Sequence, residues 1–81
     1  MSNLNENNLA RIIVNTCYNI HYELGPGLLE SVYEEILYYE LTSLGYNVER
    51  QKALPVFWKD LKMDIGFRAD LLVENKVVVE L

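Results

Sequence analysis

The chain has 81 residues, so it is one small domain at most; 51% of it is apolar, with nine aromatic residues, six of them tyrosine. A chain of this size buries only about 60–65% of its unfolded surface, which leaves stability marginal, yet the apolar share supports a packed core and excludes a disordered chain. The net charge of −5 argues against tight nucleic-acid binding by the chain's own cations, because phosphate contacts need lysine and arginine; it does not exclude an enzyme that approaches nucleic acid through a bound metal ion.

The single cysteine, Cys17, rules out an internal disulfide and sits in an apolar helical pattern, as a small core residue would. No apolar run approaches the ~18 residues of a membrane span, and the first eight residues lack the cationic and apolar regions of a leader peptide. The expectation is a soluble cytoplasmic protein.

Residues 1–6 are polar and expected to fray. Over residues 7–24, Leu9, Ile12, Ile13, Cys17, Ile20 and Leu24 recur at spacings of three and four, the helical period, with Asn5 as a plausible cap. Gly25-Pro26-Gly27 ends this helix: Gly25 can adopt a left-handed cap and Pro26 cannot continue the helix. A second helix is expected over residues 28–44, closed by Gly45. Its stripe is Tyr33, Leu37, Leu41 and Leu44, with Glu30 at the N-terminal end and Glu35 and Glu40 facing water. The pattern then changes to strand. Residues 46–51 alternate at first, and residues 54–58 form a second extended run with Pro55 at its start or on an edge. Residues 59–64 read as a polar connection.

The last sixteen residues form two apolar runs joined by Glu74-Asn75-Lys76, and each run carries one acid, Asp70 or Glu80. With a three-residue loop, Val73 faces Val77 and Asp70 falls opposite Glu80, on one face with Leu72 and Val78. Ala69, Leu71, Val73, Val77, Val79 and Leu81 take the other face, which is wholly apolar and should meet a helix. A loop of two or four residues would separate the acids, because a one-residue slip inverts a strand. The predicted fold is α+β: two N-terminal helices packed on an antiparallel meander of three to four strands.

Two carboxylates side by side need a cation or a proton between them, and oxygen ligands suit Mg²⁺ or Mn²⁺. Glu30 is a third acid that could reach the same point. The pattern is equally compatible with Asp70 and Glu80 pointing to solvent, with Glu30 as a first-turn acid on the helix dipole, or with Arg68 and Lys76 pairing these acids. His21 reads as a hydrogen-bonding group of the corner or as a ligand, and Tyr33 as core. Arg50-Gln51-Lys52 reads as a solvated strand end or a small phosphate contact.

The segment from His21 to Tyr33, with Gly27, Glu30 and Tyr33 spaced three apart, resembles the family named for its Gly-x-x-Glu-x-x-Tyr motif. Residues 66–73 and 77–81 resemble the strand pair of the same family, so the likeness spans residues 9–81. That family is placed in the PD-(D/E)xK nuclease-like superfamily, with a restriction-endonuclease-like core. The resemblance implies a metal-dependent nuclease using DNA or RNA, with Asp70 as the motif aspartate, Glu80 opening the Glu-x-Lys motif and Glu30 joining the Mg²⁺ or Mn²⁺ site. The motif lysine would follow Leu81 and is absent from the 81 residues. The expectation is therefore one domain over residues 1–81, the N-terminal part of a longer nuclease-like domain and inactive by itself. It is expected to form a homo-oligomer through an exposed sheet edge. A non-catalytic protein- or nucleic-acid-binding module, or a self-associating structural fragment, is the alternative.

Overall fold

The computed structural model describes residues 5–81, apart from the side chain of Ile65. Helices α1 (Glu6–Leu24) and α2 (Glu30–Ser43) precede strands β1 (Val48–Trp58), β2 (Leu61–Val73) and β3 (Val77–Val79). The strands form one antiparallel sheet in the order β1-β2-β3, and the helices pack on one face of it. This is the expected α+β layout, with three strands.

Helix α1 begins one residue earlier than its periodicity predicts. The Asn5 side chain accepts the Asn8 N–H at 2.8 Å and satisfies one of the amides left over at a helix start. Asn5 and Glu6 are thus held in the cap and first turn rather than frayed; the first four residues lie outside the described ones. Leu9, Ile13 and Ile20 form the buried stripe, and Cys17 packs against it half-buried.

The corner differs from expectation. Gly25 has φ 75° but ψ −174°, so its positive φ turns the chain outward without a left-handed helical cap, while its N–H still donates to the His21 carbonyl at 2.8 Å. His21 serves the corner through that carbonyl; its side chain is exposed. Gly27 also has positive φ and Leu29 is extended, so α2 starts two residues later than predicted, at Glu30. At its other end Gly45, φ 96°, donates to Thr42, and Tyr46 donates to Leu41. These two bonds make a Schellman cap. Leu37 and Leu41 are fully buried and Tyr33 half-buried, but Leu44 follows the last helical residue and is exposed.

Strands β1 and β2 are longer than predicted, whereas β3 is shorter than the expected run over residues 77–81. Both extended runs of residues 46–58 belong to one strand, β1, which passes through Pro55 on the sheet edge, where a missing N–H is tolerated. The expected connection over residues 59–64 shrinks to a turn at Lys59-Asp60. Leu61, Lys62, Met63 and Asp64 alternate apolar and polar, and that period of two places them in β2.

Near the helices the register is the predicted one. Leu71, Leu72 and Val73 pair with Val79, Val78 and Val77 across a three-residue turn. Leu71 and Val73 enter the core with Val77, Val79 and Leu81 packed against it, and Ala69 is fully buried. Toward the Lys59-Asp60 turn, β1 and β2 run on beyond the helices as a two-stranded arm. The radius of gyration, 14.1 Å, exceeds the about 12 Å expected of a compact chain of this length, in keeping with such an extension.

The arm bends where the pairing shifts between Leu54 and Val56. One residue of β1, Pro55, is there matched by three of β2, a bulge that re-aims the strands. Gly66 lies in this bulge, and a Cβ on it would stand 1.8 Å from Val56 Cγ2 and 2.6 Å from Val56 Cβ. The requirement is for space rather than for an unusual φ. Gly66→Ala should therefore lower stability by about 1–3 kcal/mol, as overpacking does. Combining it with Val56→Gly should cost less than the sum of the two single changes in a denaturant-melt cycle. Unchanged stability of Gly66→Ala would show that the bulge is not close-packed.

Candidate functional site

Asp70 lies in central β2 on the face turned away from the helices. Pairing of β2 with β3 stops at Leu71 and Val79, and the next free amide, that of Leu81, donates to Asp70 Oδ2 at 2.7 Å. The carboxylate therefore caps the end of β3 and is oriented by it. Glu80 follows β3 directly and has an exposed side chain, but the paired register ends at Leu71 and Val79, short of the expected Asp70–Glu80 pair.

Glu30 is the first residue of α2 and is exposed there. It shares a hollow of about 250 Å³ with Cys17, Leu28, Tyr33 and Leu81. Leu81 links the groups: its amide binds Asp70 and it lines the same hollow as Glu30. The three acids predicted from sequence thus lie around the end of β3. They do not close into a ligand set, since among the described residues no three His, Cys, Asp or Glu side chains are grouped to hold a metal ion. Their oxygen donors fit a hard divalent cation; what is lacking is convergence, which rests on the exposed side chains of Glu30 and Glu80.

Tyr33 holds the base of this hollow. Its hydroxyl donates to the Cys17 carbonyl at 2.8 Å and fastens the start of α2 to the middle of α1. Burial pushes the Tyr33 phenol up, with Cys17 adding to the effect. Burial also pushes the Cys17 thiol up, partly offset by Tyr33.

A second polar group was not foreseen. Glu34 is buried, accepting Arg50 Nε at 3.1 Å on Oε2 and Gln51 Nε2 at 3.0 Å on Oε1. Arg50 also donates to Glu35 at 2.8 Å and lies 5.1 Å from the Tyr38 ring centroid. Its hydrogen bonds to the Glu35 and then the Glu34 carboxylate raise the guanidinium's already high pKa, so it stays charged. Lys52 pairs with Glu49 at 3.3 Å. The Arg50-Gln51-Lys52 cluster is therefore occupied by the chain's own acids, and the phosphate-contact reading of it does not hold. The sequence did carry a signal: Glu34, Leu37 and Leu41 follow at three and four, which places Glu34 on the buried stripe.

Two outcomes follow. Glu34→Ala should lower the thermal midpoint clearly, because it removes a buried side chain together with both of its bonds to β1, whereas Glu35→Ala should change it little, because an exposed pair contributes little; equal effects would refute the distinction. Cys17, whose raised pKa leaves less thiolate at neutral pH, should react with a disulfide reagent more slowly than free cysteine. A rate equal to that of free cysteine would count against the burial described.

The model of the PD-(D/E)XK nuclease superfamily matches residues 7–81. No curated protein and no solved structure gives a significant match. Among the described residues no helix is long and apolar enough to cross a membrane. The family match spans both helices and all three strands, including the positions of Glu30, Asp70 and Glu80, and the chain belongs to the PD-(D/E)XK nuclease superfamily.

Proposed function

We propose that this chain is the nuclease-like part of a divalent-metal-dependent phosphodiester hydrolase of the Gly-x-x-Glu-x-x-Tyr type, acting on DNA or RNA. The observation that supports the reading is the carboxylate of Asp70, oriented at the end of β3 by the Leu81 amide. Members of the superfamily generally depend on divalent metal. Here Asp70, Glu80 and Glu30 would hold Mg²⁺ or Mn²⁺, which when bound supplies charge stabilisation and an acidified water. The protein's own contribution is positional. The Leu81 amide would hold the Asp70 carboxylate in place, and the Tyr33 bond to Cys17 fastens the helix turn that bears Glu30. The lysine of the Glu-x-Lys pattern falls at the position after Leu81.

A second reading is favoured by the absence of any closed acid trio among the described residues. In that reading the fold is kept as a binding module, and the Asp70 carboxylate caps β3 rather than holding a metal.

Cleavage assays on labelled single-stranded DNA, duplex DNA and RNA with Mg²⁺ or Mn²⁺ separate the two. They should compare the 81-residue chain with the same chain carrying lysine after Leu81. The expected result is metal-dependent cleavage by the lysine-bearing chain and little by the other. Asp70→Ala or Glu80→Ala should abolish it by more than about a hundredfold, beyond what loss of an outer-shell partner brings. Nucleic-acid binding without metal-dependent cleavage in either chain would support the binding module instead.

A further inference from the structure

The arm and the helical pair carry complementary surfaces that no other described part of the chain covers. On the arm, Leu54 pairs with Phe67, Val56 with Met63 and Trp58 with Leu61, which sets these six residues on one face. It continues the sheet face that elsewhere meets the helices. Here Phe67 is 50% exposed, Trp58 65% and Leu61 56%. Cations accompany the aromatics at the arm's tip: Lys59 Nζ lies 5.6 Å from the Trp58 ring centroid, and on the opposite face Lys62 Nζ lies 5.8 Å from that of Phe57. With Arg68 they outnumber the arm's own acids, Asp60 and Asp64.

The helical pair has the opposite character. Residues 5–44 carry six glutamates against the single Arg11. Between α1 and α2 lies an open groove of about 480 Å³ with an apolar floor of Ile20, Leu24, Ile36 and Leu44 and two exposed acids, Glu23 and Glu40. No cation lines it. An apolar element bearing lysines beside its aromatics matches this groove both in hydrophobicity and in charge, and such complementarity steers association and sets register.

We propose that the β1–β2 arm of one copy docks in the α1–α2 groove of a second copy of this chain, with Trp58 and Leu61 on the apolar floor and Lys59 and Lys62, at the arm's tip, against Glu23 and Glu40. Each copy has one arm and one groove, so reciprocal exchange about a two-fold axis closes the contact into a dimer. This differs from association through the β3 edge. Edge β3 pairs over three residues only, and short edge strands are a device that discourages edge-to-edge pairing. The arm presents the larger apolar surface. The proposal is independent of whether the acids around Leu81 cleave nucleic acid.

Sedimentation across the micromolar range, read together with tryptophan emission, tests it, because Trp58 is the chain's single tryptophan. Association is expected, with a blue shift of Trp58 emission as the ring leaves water, and both should weaken as salt rises. Trp58→Ser, at an exposed position and checked by circular dichroism, should weaken association about tenfold or more, as loss of a central aromatic does. Reversing both lysines (Lys59→Glu with Lys62→Glu) or both glutamates (Glu23→Lys with Glu40→Lys) should weaken it as well, and reversing all four in one chain should restore it. Three results would overturn the proposal: a chain that stays monomeric, association indifferent to all of these changes, or Trp58 emission shifted by a single-stranded oligonucleotide while the chain remains monomeric.

Discussion

Everything near the candidate site depends on the register of β2 against β3, and that register depends on a three-residue turn. Glu74 and Asn75 both take positive φ, 53° and 55°. Asn tolerates this conformation well and Glu less so, at a cost on the order of 1 kcal/mol. Local bonds hold the turn. Lys76 N–H donates to Val73 at 2.9 Å, Glu74 N–H donates to the Asn47 carbonyl at 2.7 Å, and the Glu74 carboxylate accepts the Asn47 N–H at 2.6 Å. The last two bonds tie the turn to the residue that enters β1, so one acid secures the register of β3 and the start of the neighbouring strand together. A slip of one residue would put Leu71 and Val73 in water and Asp70 in the core.

The charged residues divide between two tasks. Glu34, Glu35, Arg50 and Gln51 bind α2 to β1 beside the core, with one carboxylate buried because both of its oxygens have donors. Asp70, Glu80 and Glu30 stand around the end of β3, where only Asp70 is held by a backbone bond. A family built for metal-dependent hydrolysis would use the second group, and the first keeps the scaffold beneath it in place. The arm serves neither task. It leaves the helices as a strongly apolar hairpin with lysines near its tip, while the helical pair carries six glutamates against one arginine, and the proposed docking of one copy on another rests on that difference in charge.

Much of this was legible beforehand. Helical periodicity located both helices, because an amphipathic stripe has to repeat every three to four residues to reach a core. The two apolar runs flanking Glu74-Asn75-Lys76, with one acid in each, announced a hairpin whose faces depend only on loop length, and the Gly27, Glu30, Tyr33 spacing pointed to the family. Other features were not legible. The length of β2 was hidden because Lys62 and Asp64 look like loop residues until their alternation with Leu61 and Met63 is weighed. The corner at Gly25 is not legible either, since a glycine followed by proline is compatible with more than one backbone path. Glu34 was left unassigned because an acid on a buried stripe makes sense only when the donors that meet it are known, and those lie sixteen and seventeen residues away.

The sequence by itself determined the fold class, the apolar helix-facing side of the last hairpin and the pairing of Val73 with Val77 across its turn, because all of these follow from local periods of two and 3.6 residues and from loop length. Only the tertiary structure decided that Arg50 and Gln51 serve Glu34 rather than a phosphate, that Asp70 orients itself on the Leu81 amide, and that β1 and β2 outrun the helices to leave an uncovered arm. These are matters of distance between segments far apart in the chain, and no local pattern encodes them.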